Sequence, residues 1–448
     1  MIKRSLILNL SALLFAGGII NAQSREISLS EAIKYALENK ADAEKARLNI
    51  KKGDAEIKQV KANALPKVSI IGNTTYNPIL QEMVIPSFIN PSETIKMTMG
   101  QKWISNNTLQ VQQMLFNQSV FVGLKAAKTT KEFYVLNAQL TEEQIIEKVA
   151  EAYYQVYQSE QMLENLDENL KLTEQTKNII KGLYDAGLAK KIDYDRTIVA
   201  LNNVKASRQQ VVNAVQLSEN TLKFIIGMPM EEKISVPKDT FAPSVLVENT
   251  DSIDISERTE LKVLNKQLEL LNWKIEASKS NFYPTVNLQG TYSMYGQGPK
   301  MPWWNGTQHG VYWSDVSAIT LNINIPIFSG FANKAKIELD KIELDTAQKT
   351  LRDTKLGLDL AYKNAKTQLK NTEITINNQQ ANVELANEVL SNTRNNYKFG
   401  LATLNDILDA EKDLVEAKNN LTKAKIDYKL AEVSLLKAQG KLRSLTQN

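Results

Sequence analysis

Side chains that could carry out covalent or acid–base chemistry are scarce in this sequence. Its 448 residues include one histidine, His309, and no cysteine. We find no nucleophile elbow, phosphate-binding loop or metal-ligand spacing, which are the patterns that mark many active sites. Carboxylates are plentiful, but on helices they most often form a solvated face. The sequence therefore predicts a protein that is not an enzyme and needs no cofactor.

A different motif occurs twice: a tyrosine, glycine-leucine-alanine three residues later, and an aspartate six residues after the glycine. Its two copies begin at Tyr184 and Tyr397, a shift of 213 residues, and end at Asp193 and Asp406. A glycine just past a helix end usually forms a left-handed cap. We therefore expect two helical hairpins with tight tips at 184–191 and 397–405. In the second tip, Thr403 to Asp406 also has the spacing of a capping box.

Further matches at the same shift, such as Leu201 with Leu414 and Gly227 with Gly440, extend the similarity well beyond the tips. They predict a tandem duplication, with repeats at 23–227 and 259–448 joined by the segment 228–258. The residues before the first repeat, 1–22, resemble a secretory signal, since two basic residues precede a short apolar stretch. Without that signal the formal charge falls from +4 to +2, which argues against nucleic acid as a partner.

Long helices must lead to the tips. Residues 119–183 and 333–397 contain no proline, and at about 1.5 Å per residue each would form a rod of ~100 Å. The last helix carries heptad lines that predict coiled-coil packing. The first line is Ile407, Leu414, Leu421, Tyr428, Leu435 and Leu442, and the second is Ala410, Ala417, Ala424, Ala431, Ala438 and Leu445. Heptads are also typical of exported structural or adhesive proteins, which remain the alternative.

Four short segments, near 68–76, 109–116, 286–293 and 320–327, alternate between apolar and polar residues. Such alternation is typical of outer-membrane strands, although a soluble sheet with one buried face would show it too. A closed barrel needs about eight strands, so the strands would come from several copies of the chain. The connections 77–103 and 295–315 are rich in proline, glycine and aromatic residues, and we expect them to be extracellular loops.

Helix, strand, loop, strand, long helix, tip and helix, all repeated, resemble the TolC family of outer-membrane efflux proteins. The resemblance implies a mainly α fold with β: a homotrimeric, 12-stranded outer-membrane β-barrel with four strands per chain, continued into the periplasm by an α-helical coiled-coil barrel. It also implies an exit duct for a tripartite efflux or type I secretion system. The partners would be a periplasmic adaptor, an inner-membrane pump of RND, ABC or MFS type, and outer-membrane lipid.

The resemblance assigns roles to the tip residues. The tips would dock the adaptor through Gly187, Leu188, Ala189, Gly400, Leu401 and Ala402. Asp406 and Asp409 would form acidic rings at the constricted entrance, although an acid at a helix N-terminus also favours the helix by itself. Tyr397 and Asp193 match residues that hold the entrance closed. One element departs from the family, because Ala402 stands where an arginine is expected; Lys190 and Lys191 are candidates to replace it.

Overall fold

The computed structural model describes residues 25–89, 92–237 and 254–446. The expected signal at 1–22 and the middle of the inter-repeat segment, 238–253, lie outside the described residues. The elements, in chain order, are β1 (Arg25–Glu26), α1 (Leu29–Asn39), α2 (Ala41–Ala62), β2 (Lys67–Tyr76), β3 (Gln81–Pro86), β4 (Thr94–Met99), β5 (Trp103–Asn117), α3 (Gln118–Asp185), α4 (Lys191–Ile226), β6 (Ile234–Ser235), α5 (Thr259–Lys279), β7 (Thr285–Gly298), α6 (Pro302–Asn305), β8 (Tyr312–Asn324), α7 (Ala332–Lys398) and α8 (Leu404–Ala438).

The chain divides into two compact units, and neither coincides with a sequence repeat. The sheet unit comprises residues 42–142 and 251–362, and the tip unit comprises the described parts of 1–41, 143–250 and 363–448. Each unit draws on both repeats. In the sheet unit the physical reason is strand pairing, since β5 of the first repeat pairs along its length with β7 of the second.

The sheet unit contains one antiparallel sheet of four strands in the order β2-β5-β7-β8. All four strands overlap the segments that alternate, although β8 ends at Asn324, three residues before the end of the segment 320–327. Apolar residues lie opposite one another across the sheet, as Val68 does with Val111 and Leu288 with Leu321. These side chains share one face of the sheet because directly opposed residues point the same way. They are exposed, so no other part of the described chain covers this face.

The first expected loop contains a pair of strands that the sequence pattern did not predict. Within 77–103, β3 and β4 form a separate antiparallel hairpin. Its proline, Pro86, is the last residue of β3, and β3 is an edge strand of a two-stranded sheet, in which a missing N–H is tolerated. The second expected loop, 295–315, is shorter than predicted, since β7 continues to Gly298 and β8 begins at Tyr312.

The long helices agree with the prediction from the unbroken sequence. Helix α3 has 68 residues and α7 has 67, and their hairpin partners α4 and α8 have 36 and 35. Both heptad lines of α8 are largely buried, including Ile407 and Leu414 of the first and Ala410 and Ala424 of the second. Among the described residues, no helix combines the length and the hydrophobicity that crossing a membrane would require.

In the sheet unit, α2 approaches the first part of α3 closely. A Cβ atom added at Gly53 would lie 2.3 Å from the Tyr134 ring. The ring is held in place by its hydroxyl, which donates a hydrogen bond of 2.9 Å to Glu56 Oε2. The ion pair between Lys131 and Asp54, at 3.1 Å, joins the same two helices. The close approach of α2 to α3 therefore depends on glycine at position 53.

We expect Gly53→Ala to destabilise the protein by about 1–3 kcal/mol, because the added methyl group overpacks the contact with Tyr134. The measurement is the thermal unfolding of the purified protein. Gly357→Ala is the matched control, since no atom lies within 4 Å of a Cβ built on this second helical glycine. In the control, alanine's higher helix propensity should leave stability unchanged or raise it. Equal melting temperatures for the two variants would contradict the prediction.

Candidate functional site at the hairpin tips

Both hairpins end in the same backbone motif. At the first tip, the Leu188 N–H donates to the Leu183 carbonyl at 2.8 Å and the Gly187 N–H donates to the Tyr184 carbonyl at 2.9 Å. The second tip repeats both bonds, from Leu401 to Asn396 at 2.9 Å and from Gly400 to Tyr397 at 3.0 Å. Gly187 and Gly400 have φ values of +75° and +73°. This is the Schellman motif, which ends a helix with a left-handed residue.

The motif leaves an apolar side chain exposed at each tip. Leu188 is 78% exposed and Leu401 is 77% exposed. Ile192 beside the first tip and Phe399 in the second are also exposed, whereas Ala189 and Ala402 are half-buried. The apolar tip surface, defined as Leu188, Ile192, Phe399 and Leu401, therefore lies on rigidly capped turns.

The two tips differ in how the following helix begins. At the second tip Thr403 and Asp406 form the predicted capping box, in which the Thr403 N–H donates to Asp406 Oδ2 at 2.6 Å. The Thr403 hydroxyl donates to the same oxygen at 2.8 Å. Hydrogen bonds from the backbone and the hydroxyl of Thr403 hold the pKa of Asp406 below its usual value. At the first tip Lys190 occupies the cap position without a side-chain hydrogen bond.

A polar contact joins the two hairpins near their tips. Arg196 Nη1 on α4 donates to Asn405 Oδ1 on α8 at 3.2 Å. In the described chain, neither Lys190 nor Lys191 forms an ion pair. The pKa of Tyr397 is raised by burial and then by the negative charge of Asp193, although no hydrogen bond joins these two side chains in the described residues. Tyr397 and Asp193 thus lie in one region of the structure, and Arg196 lies in the same region.

A buried carboxylate that was not predicted from the sequence lies just inside the second tip. Glu411 is 3% exposed, and its Oε1 accepts hydrogen bonds of 2.7 Å from both Arg394 Nη2 and the Thr176 hydroxyl. The Thr173 hydroxyl donates to its other oxygen at 3.2 Å. The cluster joins α3, α7 and α8. Glu411 directly follows Ala410 of the second heptad line, a position that flanks the core, whereas the exposed Glu416 lies on the outer side of the helix. The partners of Glu411 on α3 and α7 have no signal in the sequence.

Asp409, the other expected ring residue, lies on an open groove between α3, α4 and α8. The groove has a volume of about 550 Å³, and Asp409 lines it together with Lys412 and Glu416. Asp409 is exposed, whereas the first-repeat residue at the equivalent position is Arg196. The two ring candidates therefore differ in environment, because Asp406 is held by a helix cap and Asp409 is free to face solvent.

Comparison with known proteins agrees with this architecture. The family model described as outer membrane efflux protein matches residues 32–228 and 254–441. The probable efflux pump outer membrane protein TtgC of Pseudomonas putida is 22% identical, over 92% of this chain and 83% of the relative. The outer membrane efflux protein BepC of Brucella suis is 21% identical, over 96% and 90%.

Solved structures show the same fold. The outer membrane protein VceC of Vibrio cholerae superposes with a TM-score of 0.72 at 18% identity, covering 92% of this chain and 96% of that one. The family model matches most of the chain, and the matched regions contain both hairpin tips and all four strands of the sheet. The chain belongs to the outer membrane efflux protein family.

Proposed function

We propose that this outer-membrane efflux protein is the exit channel of a tripartite efflux or type I secretion system, and that it works as a homotrimer. The observation that carries the proposal is the four-stranded sheet, whose apolar face is exposed and whose edge strands β2 and β8 have no further partner strand among the described residues. In a lipid bilayer, unpaired backbone groups are strongly unfavourable, so both edges need partner strands. Three copies would supply twelve strands and close the sheet.

The periplasmic partners would meet the chain at the hairpin tips. The apolar tip surface is exposed and its backbone is fixed by two Schellman motifs, which supports docking of a periplasmic adaptor. The residues proposed for docking are Gly187, Leu188, Ala189, Gly400, Leu401 and Ala402. An inner-membrane pump of RND, ABC or MFS type would deliver substrate through the adaptor. Relatives named as efflux pump components support these partners.

Closure of the entrance would depend on contacts between neighbouring hairpins. Within the chain, the hydrogen bond from Arg196 to Asn405 supports a link that replaces the arginine missing at Ala402. Tyr397 and Asp193 lie in the same region and would contribute through their hydroxyl and carboxylate. Lys190 and Lys191 are exposed and would be free to pair with a neighbouring copy.

The proposed acidic rings lead to a prediction about conductance. Asp406→Asn with Asp409→Asn should raise single-channel conductance or weaken block by divalent cations roughly several-fold, because three copies of each lost charge surround the entrance. The measurement is the current through the purified protein in planar bilayers. Asp345→Asn, which removes an exposed charge from α7 in the sheet unit, is the control. If neither conductance nor block changes, the ring role is rejected.

The channel proposal itself is tested by assembly and conduction together. Protein extracted from membranes should migrate as a trimer on unheated gels and as a monomer after heating, and should form discrete conducting steps in planar bilayers. An exported structural or adhesive protein, the alternative, would conduct no current. A soluble species, or a monomer in the outer membrane, would contradict the proposal.

A further inference from the structure

The β3–β4 hairpin in the sheet unit has two chemically different faces. In its register Met83 lies opposite Met97, Ile85 lies opposite Ile95, and Met99 lies opposite Gln81. Directly opposed residues share a face, and so do residues two apart on one strand. The three methionines therefore lie together on one face with the two isoleucines. The other face carries the ion pair between Lys96 and Glu82, at 3.7 Å.

The strand register places the three methionines beside one another on this face. Opposed residues in an antiparallel pair have Cβ atoms about 4.5–5.5 Å apart, and diagonal neighbours are about 7–8 Å apart. Met83 and Met97 form the opposed pair, and Met99 is the diagonal neighbour of Met83. Their side chains are 42–46% exposed, and the flexible thioether can rotate toward a shared point.

Three converging thioethers have a defined preference among metal ions. Thioether sulfur is a soft, uncharged ligand that selects soft ions such as Cu⁺ over hard cations such as Mg²⁺ or Ca²⁺. No group of histidine, aspartate and glutamate in the described part of the chain is arranged to hold a metal ion, and the sequence has no cysteine. The thioethers of the hairpin are a different kind of donor set, one that favours soft ions.

We propose that Met83, Met97 and Met99 form a binding site for a soft monovalent cation, Cu⁺ or Ag⁺, on the β3–β4 hairpin. All three ligands are neutral, so the bound ion keeps its positive charge and remains exposed at the surface. Such a site binds reversibly and requires no change in the rest of the sheet unit. The proposal rests on the hairpin alone and is independent of the proposed channel function.

The test uses Ag⁺, which needs no added reductant, and the full-length protein in detergent. Calorimetry should show about one Ag⁺ bound per chain, and the triple variant Met83→Leu, Met97→Leu, Met99→Leu should bind at least about tenfold more weakly. Leucine keeps the apolar face and removes only the sulfur. In spectra of methyl-labelled methionine, Ag⁺ should shift the signals of these three residues first.

Three controls separate this site from general silver binding. Met230→Leu removes a methionine that is 47% exposed in the tip unit, and it should leave affinity unchanged. Ile85→Leu with Ile95→Leu alters the same hairpin face but keeps all three sulfur atoms, and His309→Gln removes the single imidazole. Both variants should also leave the affinity for Ag⁺ unchanged. Unchanged affinity in the triple methionine variant would overturn the proposal. So would simultaneous Ag⁺ shifts of every exposed methionine, which would indicate adsorption without a site.

Discussion

Changing Leu188 and Leu401 together to aspartate is expected to abolish efflux while the protein stays folded in the outer membrane. Both leucines are more than three-quarters exposed, so their replacement should change folding stability by only about 0.5 kcal/mol or less. Docking, in contrast, would bury them. Two carboxylates per chain would then have to lose water without a partner, which costs several kcal/mol at an interface. The loss should thus affect binding of the adaptor and leave the fold intact.

The measurement combines three readouts: substrate efflux from cells, the amount of trimer in outer-membrane fractions, and recovery of the adaptor after cross-linking. The matched control is Leu217→Asp, which changes a leucine that is 68% exposed on α4 but lies 29 residues after Leu188. It should transport normally. Normal efflux by the double tip variant would refute docking through the tips. Loss of the variant from the membrane would show that the leucines serve folding instead.

Replacing Glu411 by leucine is expected to lower the free energy of unfolding by about 3 kcal/mol. The change leaves Arg394 without its ion-pair partner and leaves the hydroxyls of Thr173 and Thr176 without their acceptor. Breaking a buried pair by removing one partner costs about 3–5 kcal/mol. The low end applies because the Arg394 side chain is partly exposed and keeps some hydration. The tips should loosen, which would raise the fraction of time that the entrance conducts.

A double-mutant cycle isolates this effect from simple loss of volume. Arg394→Met combined with Glu411→Leu should be more stable than Glu411→Leu alone, because the apolar pair leaves no unpaired charge. Glu416→Gln, on an exposed residue of the same helix, should change neither the melting temperature nor the conductance. The loss of stability in the double variant is compared with the losses in Glu411→Leu and Arg394→Met measured separately. If it equals their sum, the ion pair is not what joins the three helices.

Elements governed by local interactions could be predicted from the sequence. The Schellman motifs at Gly187 and Gly400 and the capping box at Thr403 involve residues within five positions of one another. The strands of the sheet and the long helices α3 and α7 were likewise predicted, because alternation and unbroken helical sequence are properties of short windows. The sequence did not predict the β3–β4 hairpin inside 77–103, and the strands β7 and β8 extend further into 295–315 than the alternation indicated.

Contacts between distant segments were decided by the tertiary structure alone. Glu411 meets Thr173 across 238 positions and Arg196 meets Asn405 across 209, and neither pair has a local signal. The duplication predicted two repeats, yet pairing of β5 with β7 builds the sheet unit from both of them. Methionines that look scattered in the sequence come together because the β3–β4 register opposes Met83 to Met97. Local periodicity determines which elements form, whereas the environment of a charge or a sulfur depends on which elements pack beside it.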